Sequence, residues 1–197
     1  MPEIKKIISR EIKERKDRRN RTIVGLLLVG LLVVSIAGYF SGKGGDDRAR
    51  SKIIYNSVEF TLEDNNYWSS VIGEIEFLTA YNPKETEDIQ GMITLRLESY
   101  QDKPLYFSHD SNTEGINEIN MNLGRFASRT PQKACLYECE EDLPVKNCTE
   151  NIIIVREVEE LQESLIRQEE NCIYVLSTEG EILKVSDAFI FKLLELN

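Results

Sequence analysis

The sequence predicts an N-terminal transmembrane helix followed by an α+β or mixed α/β domain. The helix is predicted by Thr22–Gly42, a run of 21 residues without a charge. The domain is predicted by short β-branched and aromatic runs between Asn, Asp and Gly, and by the apolar Ile152–Val155, which is typical of a central sheet strand. Four segments follow: a basic cytoplasmic amphipathic segment at 1–21, a transmembrane helix at 22–41, a flexible tether at 42–51 and an extracytoplasmic α/β domain at 52–197.

The charges are unevenly distributed along the chain. Residues 1–22 hold nine Lys or Arg and four Asp or Glu, whereas residues 41–197 hold fifteen against thirty. An acidic domain repels phosphate backbones, so no nucleic-acid partner is expected. The apolar content of 41% is too high for a disordered chain.

The membrane segment centres on Ile23–Phe40, whose residues are almost all apolar. At a rise of ~1.5 Å per residue, eighteen helical residues span about 27 Å, close to the thickness of a bilayer's hydrocarbon core. Lys and Arg crowd its N-terminal flank. The positive-inside bias therefore predicts a single-pass protein of the cell membrane, with a cytoplasmic N-terminus, the lipid bilayer as partner and an extracytoplasmic C-terminal domain.

Two questions about the N-terminal part stay open. Ser35-Ile36-Ala37 resembles a small-residue cleavage site, so a cleaved signal peptide is the alternative to a retained span. Ile4, Ile7, Ile8 and Ile12 recur at helical spacing, which fits either an interfacial helix on anionic lipid or a helical extension of the span.

A β-meander is predicted directly after the tether. Aromatic and β-branched residues alternate with turn-forming Asn, Asp and Gly there, and Trp68 is expected in the core. Pro83–Asp88 has the composition of a first helical turn. The predicted strands are 53–62, 67–72 and 75–81.

The rest of the domain is predicted to alternate strands with helices. Apolar periods of two and of three to four residues distinguish the two kinds of element. Strands are expected at 92–97, 105–107, 152–155, 172–176 and 182–185, and helices at 113–128, at 157–170 and from a Ser186 cap to Leu196.

All four cysteines, Cys135, Cys139, Cys148 and Cys172, lie in the exported part, which favours two disulfides. No C-x2-C pair is present, which argues against a zinc knuckle or a thioredoxin-type dithiol, although a metal site of four thiolates and free thiols remain alternatives. The sequence allows three pairings. The preferred one joins Cys139 to Cys148 and Cys135 to Cys172.

Asn147-Cys148-Thr149 is an N-glycosylation acceptor triplet on the predicted exported side. Asn147 is therefore a glycosylation candidate. Such triplets also occur by chance, and a disulfide at Cys148 is a possible obstacle.

The chain has one histidine, His109, in the run Ser108-His109-Asp110 between a predicted strand and a predicted helix. Ligands of α/β domains often bind at such a point, so this loop is the alternative site of a tethered enzyme. Adjacent positions are not the geometry of a catalytic triad, and an exposed loop histidine is the preferred interpretation. We assign no catalytic or cofactor-binding residue.

Residues 110–115 imitate the opening of an EF-hand calcium loop. The twelfth position of such a loop needs a bidentate Glu, and here it is Met121. Capping of the following helix by Ser111 or Asn112 is preferred, and we assign no metal ligand.

Several loose motifs occur together in this chain. They are the basic head and span, Tyr55–Phe60 (Y-N-x-V-E-F), Trp68, Tyr81–Glu85 (Y-N-P-K-E), the four cysteines and Asp187-Ala188-Phe189. With these features the chain resembles small archaeal membrane-anchored extracytoplasmic proteins of unknown function. The resemblance implies an envelope location. That family has no established catalytic residues, so none is carried over to this chain.

Anchoring and oxidation have positive support in the sequence, whereas catalytic motifs are missing. The expected function is a non-catalytic protein-interaction or envelope-structural module, with an envelope or membrane protein as partner and no cofactor. Two alternatives stay open: a membrane-tethered enzyme at Ser108-His109-Asp110, and a thiol or metal-binding protein using the four cysteines.

Overall fold

A computed structural model describes residues 23–25, 29–31, 51–138 and 141–196 of the chain. The chain divides into two units, 1–49 and 50–197. Residues 23–25 and 29–31 of the first unit are helical, and their apolar side chains are exposed. Within the described ranges, no helix combines the length and apolarity needed to cross a bilayer. The basic head, most of the predicted span, residues 42–50 of the tether and Cys139 lie outside these ranges.

The second unit has a mixed α+β fold, as the sequence predicts. Its described residues form a four-stranded sheet, a six-stranded sheet and two α-helices. The strands are β1 Lys52–Tyr55, β2 Val58–Leu62, β3 Trp68–Ile72, β4 Ile75–Thr79, β5 Leu105–Ser108, β6 Gln132–Leu136, β7 Val145–Lys146, β8 Asn151–Glu157, β9 Leu165–Glu169 and β10 Cys172–Ser177; the helices are α1 Thr113–Leu123 and α2 Ile182–Leu193.

Strands β1 to β4 form the predicted antiparallel meander. The prediction of one strand over 53–62 is wrong, because Asn56 and Ser57 have φ of 46° and 68° and form a two-residue hairpin turn between β1 and β2. Trp68 is 8% exposed and lies in the core, as expected. The meander packs on α2, where the Phe60 and Phe191 rings meet edge to face at 5.8 Å.

The larger sheet has the strand order β7-β6-β5-β8-β10-β9. Its neighbours pair in parallel except β9, which is antiparallel to β10. The predicted central strand is confirmed, since Ile152–Val155 lie in β8 and are buried on both faces. Both helices pack against the same face of this sheet. The buried core between the helices and the sheet includes Ile119, Leu123, Val185 and Phe189.

The strand predicted at 92–97 is not formed. Next to it only Gln90 makes a bridge, to Leu165. In place of backbone pairing, the side chain of Gln168 bonds this segment, since its Oε1 accepts from Thr94 N at 2.6 Å. Gly91 has φ of 138°, and a Cβ there would lie 2.1 Å from Ile166 O. The backbone therefore passes β9 too closely and in the wrong conformation to continue a ladder.

The helix predicted at 157–170 is also wrong. The second half of this segment is β9, which pairs with β10 across a turn at Glu170 and Asn171. Glu170 has φ of 50°, a conformation typical of such turns. Pairing with β10 therefore overrides the helical spacing of the apolar residues.

The strand predicted at 182–185 is the first turn of α2. The expected cap, Ser186, lies inside the helix, where its Oγ donates to Ile182 O at 2.8 Å. The N-cap residue, Glu181, makes no side-chain capping bond, so the usual start signal is missing. Helix α1 begins where predicted but ends at Leu123, and a 3-10 turn, Gly124–Phe126, follows.

Gly115 lets α1 approach the sheet closely. A Cβ at this position would lie 2.4 Å from Val155 Cγ1 and 3.0 Å from Ser186 Oγ. We expect Gly115→Ala to lower the free energy of unfolding by about 1–2 kcal/mol, because overpacking outweighs the gain of ~1 kcal/mol in helix propensity. Urea denaturation measures this change. Asn117→Ala, at an exposed position of α1, is the control and should change the value by less than about 0.5 kcal/mol. Equal stability of both variants would contradict the close packing.

Candidate functional site

One face of the larger sheet carries no described helix. Its buried apolar cluster comes from the strands and the loop before β8, and no residue of α1 or α2 belongs to it. We call this surface the helix-free face. Its buried residues are Tyr106, Ala134, Cys148, Ile152, Ile154 and Cys172, with the partly buried Leu136 and Tyr174 packed against them.

Tyrosines and cations cover this cluster. Lys146 Nζ lies 4.8 Å from the centroid of the Tyr106 ring, and Arg129 Cζ lies 5.7 Å from it. Arg129 Nη2 also donates to Tyr106 Oη at 2.6 Å. Beside them, Tyr137 Oη lies 3.4 Å from Cys148 Sγ, although the side chain of Tyr137 is 55% exposed. The apolar residues are thus shielded by single side chains rather than by a second layer of structure.

Most cations on the helix-free face already have carboxylate neighbours. Lys146 Nζ lies 2.6 Å from Glu150 Oε1, and this hydrogen bond raises the pKa of Lys146. Arg156 pairs with Asp110. Arg129 differs, because it makes no ion pair with any carboxylate in the described part of the chain.

A pocket of about 290 Å³ opens beside Tyr106. It lies where β5 and β8 begin, and Lys103, Glu150 and Asn151 contribute polar groups to its wall. The surface around Tyr106 therefore combines a concavity, an aromatic ring and positive charge.

The disulfide of this face joins Cys148 to Cys172, with a Cα to Cα distance of 4.9 Å. The preferred pairing is therefore wrong. Cys172 lies opposite Ile152 in the β8–β10 pair, and Cys148 lies three residues before the start of β8, so strand pairing brings these two cysteines close together. Cys135 is also disulfide-bonded. A disulfide sulfur is not a thiolate ligand, so these three cysteines do not form the alternative metal site in this structure.

Ser108, His109 and Asp110 do not form a triad. Ser108 Oγ donates to Asp110 Oδ1 at 2.5 Å, and among the described residues Ser108 makes no side-chain bond to His109. Burial raises the pKa of Asp110, but the Ser108 hydrogen bond and the Arg156 charge outweigh it and lower the value overall. His109 Nδ1 is buried with no hydrogen-bond partner in the described part of the chain. The serine is thus bonded to a carboxylate and not to the base that would activate it.

The loop that resembles an EF-hand caps α1. Asn112 Oδ1 accepts from Glu114 N at 2.9 Å and from Gly115 N at 3.2 Å, which confirms the capping prediction. Ser111 Oγ accepts from Val155 N at 3.0 Å. Among the residues searched, no group of three His, Cys, Asp or Glu is placed to hold a metal ion.

A pair of carboxyl groups, Glu118 of α1 and Asp187 of α2, lies buried at 3% and 0% exposure. Asp187 Oδ2 accepts from Tyr81 N at 2.8 Å, and Glu118 Oε1 accepts from Ala80 N at 3.1 Å. Burial raises the pKa of both groups, and the Glu118 charge raises that of Asp187 further. The other Asp187 oxygen, Oδ1, is buried without a donor among the described residues. Because both pKa values are raised, we expect the pair to hold one proton between the two carboxyl groups near neutral pH.

Sequence reasoning missed both the helix-free face and the carboxyl pair. The signal for Asp187 was available, because it precedes the apolar run Ala188–Phe191 in a helix that is otherwise largely buried. Glu118 had no comparable signal among thirty-four acidic residues. The pair is sealed from solvent, so its role is structural.

Asn147 lies in the turn between β7 and β8 and is exposed. It follows Lys146 of the helix-free face and precedes the buried Cys148.

Comparison of the chain with protein-family models, with curated proteins and with solved structures finds no match.

Proposed function

We propose that this chain is a single-pass membrane protein whose extracytoplasmic domain binds another envelope or membrane protein without catalysing a reaction. The uncharged run Thr22–Gly42 with its basic flank supports the anchor. The Cys148–Cys172 disulfide supports an oxidising location for the domain. The bond from Ser108 to Asp110 removes the geometric support for an enzyme at this loop.

The helix-free face carries the proposal. It combines exposed aromatic surface at Tyr137 with the buried Tyr106 and the guanidinium of Arg129. Tyrosine and arginine are enriched among the residues that dominate the binding energy of protein interfaces, since both offer large contact areas and directed hydrogen bonds. A neighbouring pocket provides a concave point for a partner side chain.

The charge of this face defines the partner's chemistry. The domain is strongly acidic, yet Arg129 and Lys146 lie over one tyrosine ring. Arg129 has a hydrogen bond to Tyr106 but no ion pair with a described carboxylate. We expect a protein segment that places a carboxylate on Arg129 and apolar side chains against Tyr137, which is 55% exposed, because a guanidinium binds a carboxylate with two parallel hydrogen bonds.

Site-specific photo-crosslinking in intact membranes tests the face. A photoreactive residue replacing Tyr137 in the full-length chain should give one adduct of defined mass. The same residue replacing Val71, which is 63% exposed on the meander, should not give it. Arg129→Glu should reduce the Tyr137 adduct about tenfold, since a lost charge pair costs of order 1.4 kcal/mol or more. Lys84→Glu, an exposed charge reversal outside the face, should leave the adduct unchanged.

Equal crosslinking from positions 137 and 71 would contradict a specific interface. An adduct insensitive to Arg129→Glu would contradict the proposed partner chemistry. Recovery of the chain without any adduct at position 137 in membranes that retain their native proteins would overturn the function.

A further inference from the structure

We propose that Asn147 carries an N-linked glycan, transferred from a lipid-linked oligosaccharide by a membrane-bound oligosaccharyltransferase. This inference rests on the extracytoplasmic location in the proposed function, because the donor and the enzyme act on exported chains. It does not use partner binding at the helix-free face as evidence.

The geometry of the acceptor triplet supports this modification. Asn147 Oδ1 accepts from Thr149 N at 3.0 Å and from Thr149 Oγ1 at 2.7 Å. The hydroxyl and the amide of Thr149 therefore both engage the oxygen of the carboxamide. The carboxamide nitrogen, Nδ2, makes no hydrogen bond to any described residue, so it is available to a sugar donor.

The disulfide does not block access in the folded domain. Cys148 is 5% exposed and turns its sulfur inward to Cys172. Asn147 and Thr149 on either side of it are exposed. The disulfide is therefore buried, whereas the side chains of Asn147 and Thr149 face solvent. A glycan on Asn147 would extend into solvent without displacing any buried group.

The lipid-linked oligosaccharide supplies both the sugar and the leaving group of the transfer. A bond forms between Asn147 Nδ2 and the anomeric carbon of the first sugar, and the bond from that carbon to the phosphate oxygen of the lipid carrier breaks. The lipid phosphate leaves with the electron pair, and one proton of the amide passes to a base. No oxidant or reductant is needed.

A second acceptor triplet in the sequence provides a control for the orientation of the chain. Asn20-Arg21-Thr22 precedes the apolar run, whereas Asn147-Cys148-Thr149 follows it, and these are the two Asn-x-Ser/Thr triplets of the sequence. If the N-terminus is cytoplasmic, only Asn147 meets the transferase. Asn20 is therefore an internal control for orientation.

Peptide mass spectrometry of the full-length chain, isolated from membranes of the organism that makes it, tests the modification. We expect a saccharide mass on the Asn147 peptide and none on the Asn20 peptide. Thr149→Ala should abolish the saccharide, because it removes the required hydroxyl, and Thr149→Ser should retain it. Asn147→Gln gives the unmodified reference mass. An Asn147 peptide found only in unmodified form would overturn the proposal, and so would a modification that survives Thr149→Ala.

Protease treatment of intact cells separates the two levels of failure. Where Asn147 is unmodified but the domain is digested from outside and the Cys148–Cys172 bridge is intact, the glycan is refuted and the location stands. Where the domain is protected in intact cells, or the saccharide is on Asn20, the extracytoplasmic location fails together with the glycan.

Discussion

Replacement of Asp187 by alanine is expected to lower the free energy of unfolding by about 2–4 kcal/mol, because it leaves two buried polar groups without their hydrogen-bond partner. The variant leaves the Glu118 carboxyl group buried at 3% exposure without its neighbour. It also leaves Tyr81 N–H, which donates to Asp187 Oδ2 at 2.8 Å, without its acceptor. Urea denaturation near neutral pH measures the loss.

Asp187→Asn is the matched control for this prediction. An asparagine imitates a protonated aspartic acid, since its oxygen accepts from Tyr81 N while its amino group donates to Glu118. We expect it to remain within about 1.5 kcal/mol of the wild type. A variant as unstable as Asp187→Ala would show that the pair does not hold a shared proton.

The same variant changes the pH dependence of stability. Burial raises the pKa of Asp187 well above its ordinary value in the folded protein. Above about pH 4, where an unfolded aspartic acid loses its proton, the folded chain still binds it and so holds more protons than the unfolded chain. The free energy of unfolding therefore falls as the pH rises towards the folded pKa. In Asp187→Asn this decrease should be smaller, and an unchanged slope would contradict the assignment.

Loss of the Cys148–Cys172 bridge is the second large effect. For a sequence separation of 24, the chain-entropy relation gives a loss of about 3.5 kcal/mol when both cysteines become alanine. The bridge ties the loop before β8 to the first residue of β10, at the buried edge of the helix-free face. Thermal unfolding under non-reducing conditions measures the change.

A second double variant distinguishes the effect of the covalent crosslink from the effect of lost side-chain volume. The double variant Cys148→Ser with Cys172→Ser has nearly the same side-chain volume as two reduced cysteines, so it should be as unstable as the alanine pair or slightly more so. A difference of less than about 1 kcal/mol between wild type and either double variant would contradict the bridge as a main stabilising element.

The elements that were predicted correctly are specified by the sequence pattern of their own segment. Ile152–Val155 is apolar at every position because β8 has covered faces on both sides, and the meander is marked by turn residues between its strands. The errors at 92–97, at 157–170 and at 182–185 arise from tertiary contacts. The side chain of Gln168 bonds the backbone at Thr94 where a strand was predicted, and β9 pairs with β10 where a helix was predicted. Helix α2 begins at Ile182, and its N-cap residue, Glu181, makes no side-chain capping bond.

The candidate site depended even more on distant contacts. Arg129 and Lys146 reach Tyr106 from positions 23 and 40 residues away, and only the pairing of β5 with β6 and of β6 with β7 brings them together. The sequence indicated the cysteines and Asn147 as candidate sites, because the chemistry of these residue types is recognisable without a structure. It could not rank a tyrosine and an arginine that acquire a role through the sheet register.

The outer edge of β4 is satisfied by side chains from the helices rather than by another strand. Asn122 Oδ1 accepts from Leu78 N at 2.9 Å, next to the bonds that Glu118 and Asp187 make to Ala80 and Tyr81. These three amide hydrogens belong to one layer and their acceptors to another. Exchange of these amide hydrogens with deuterium therefore requires the meander to separate from the two helices. We expect the meander and the helix-covered sheet to unfold in a single cooperative transition.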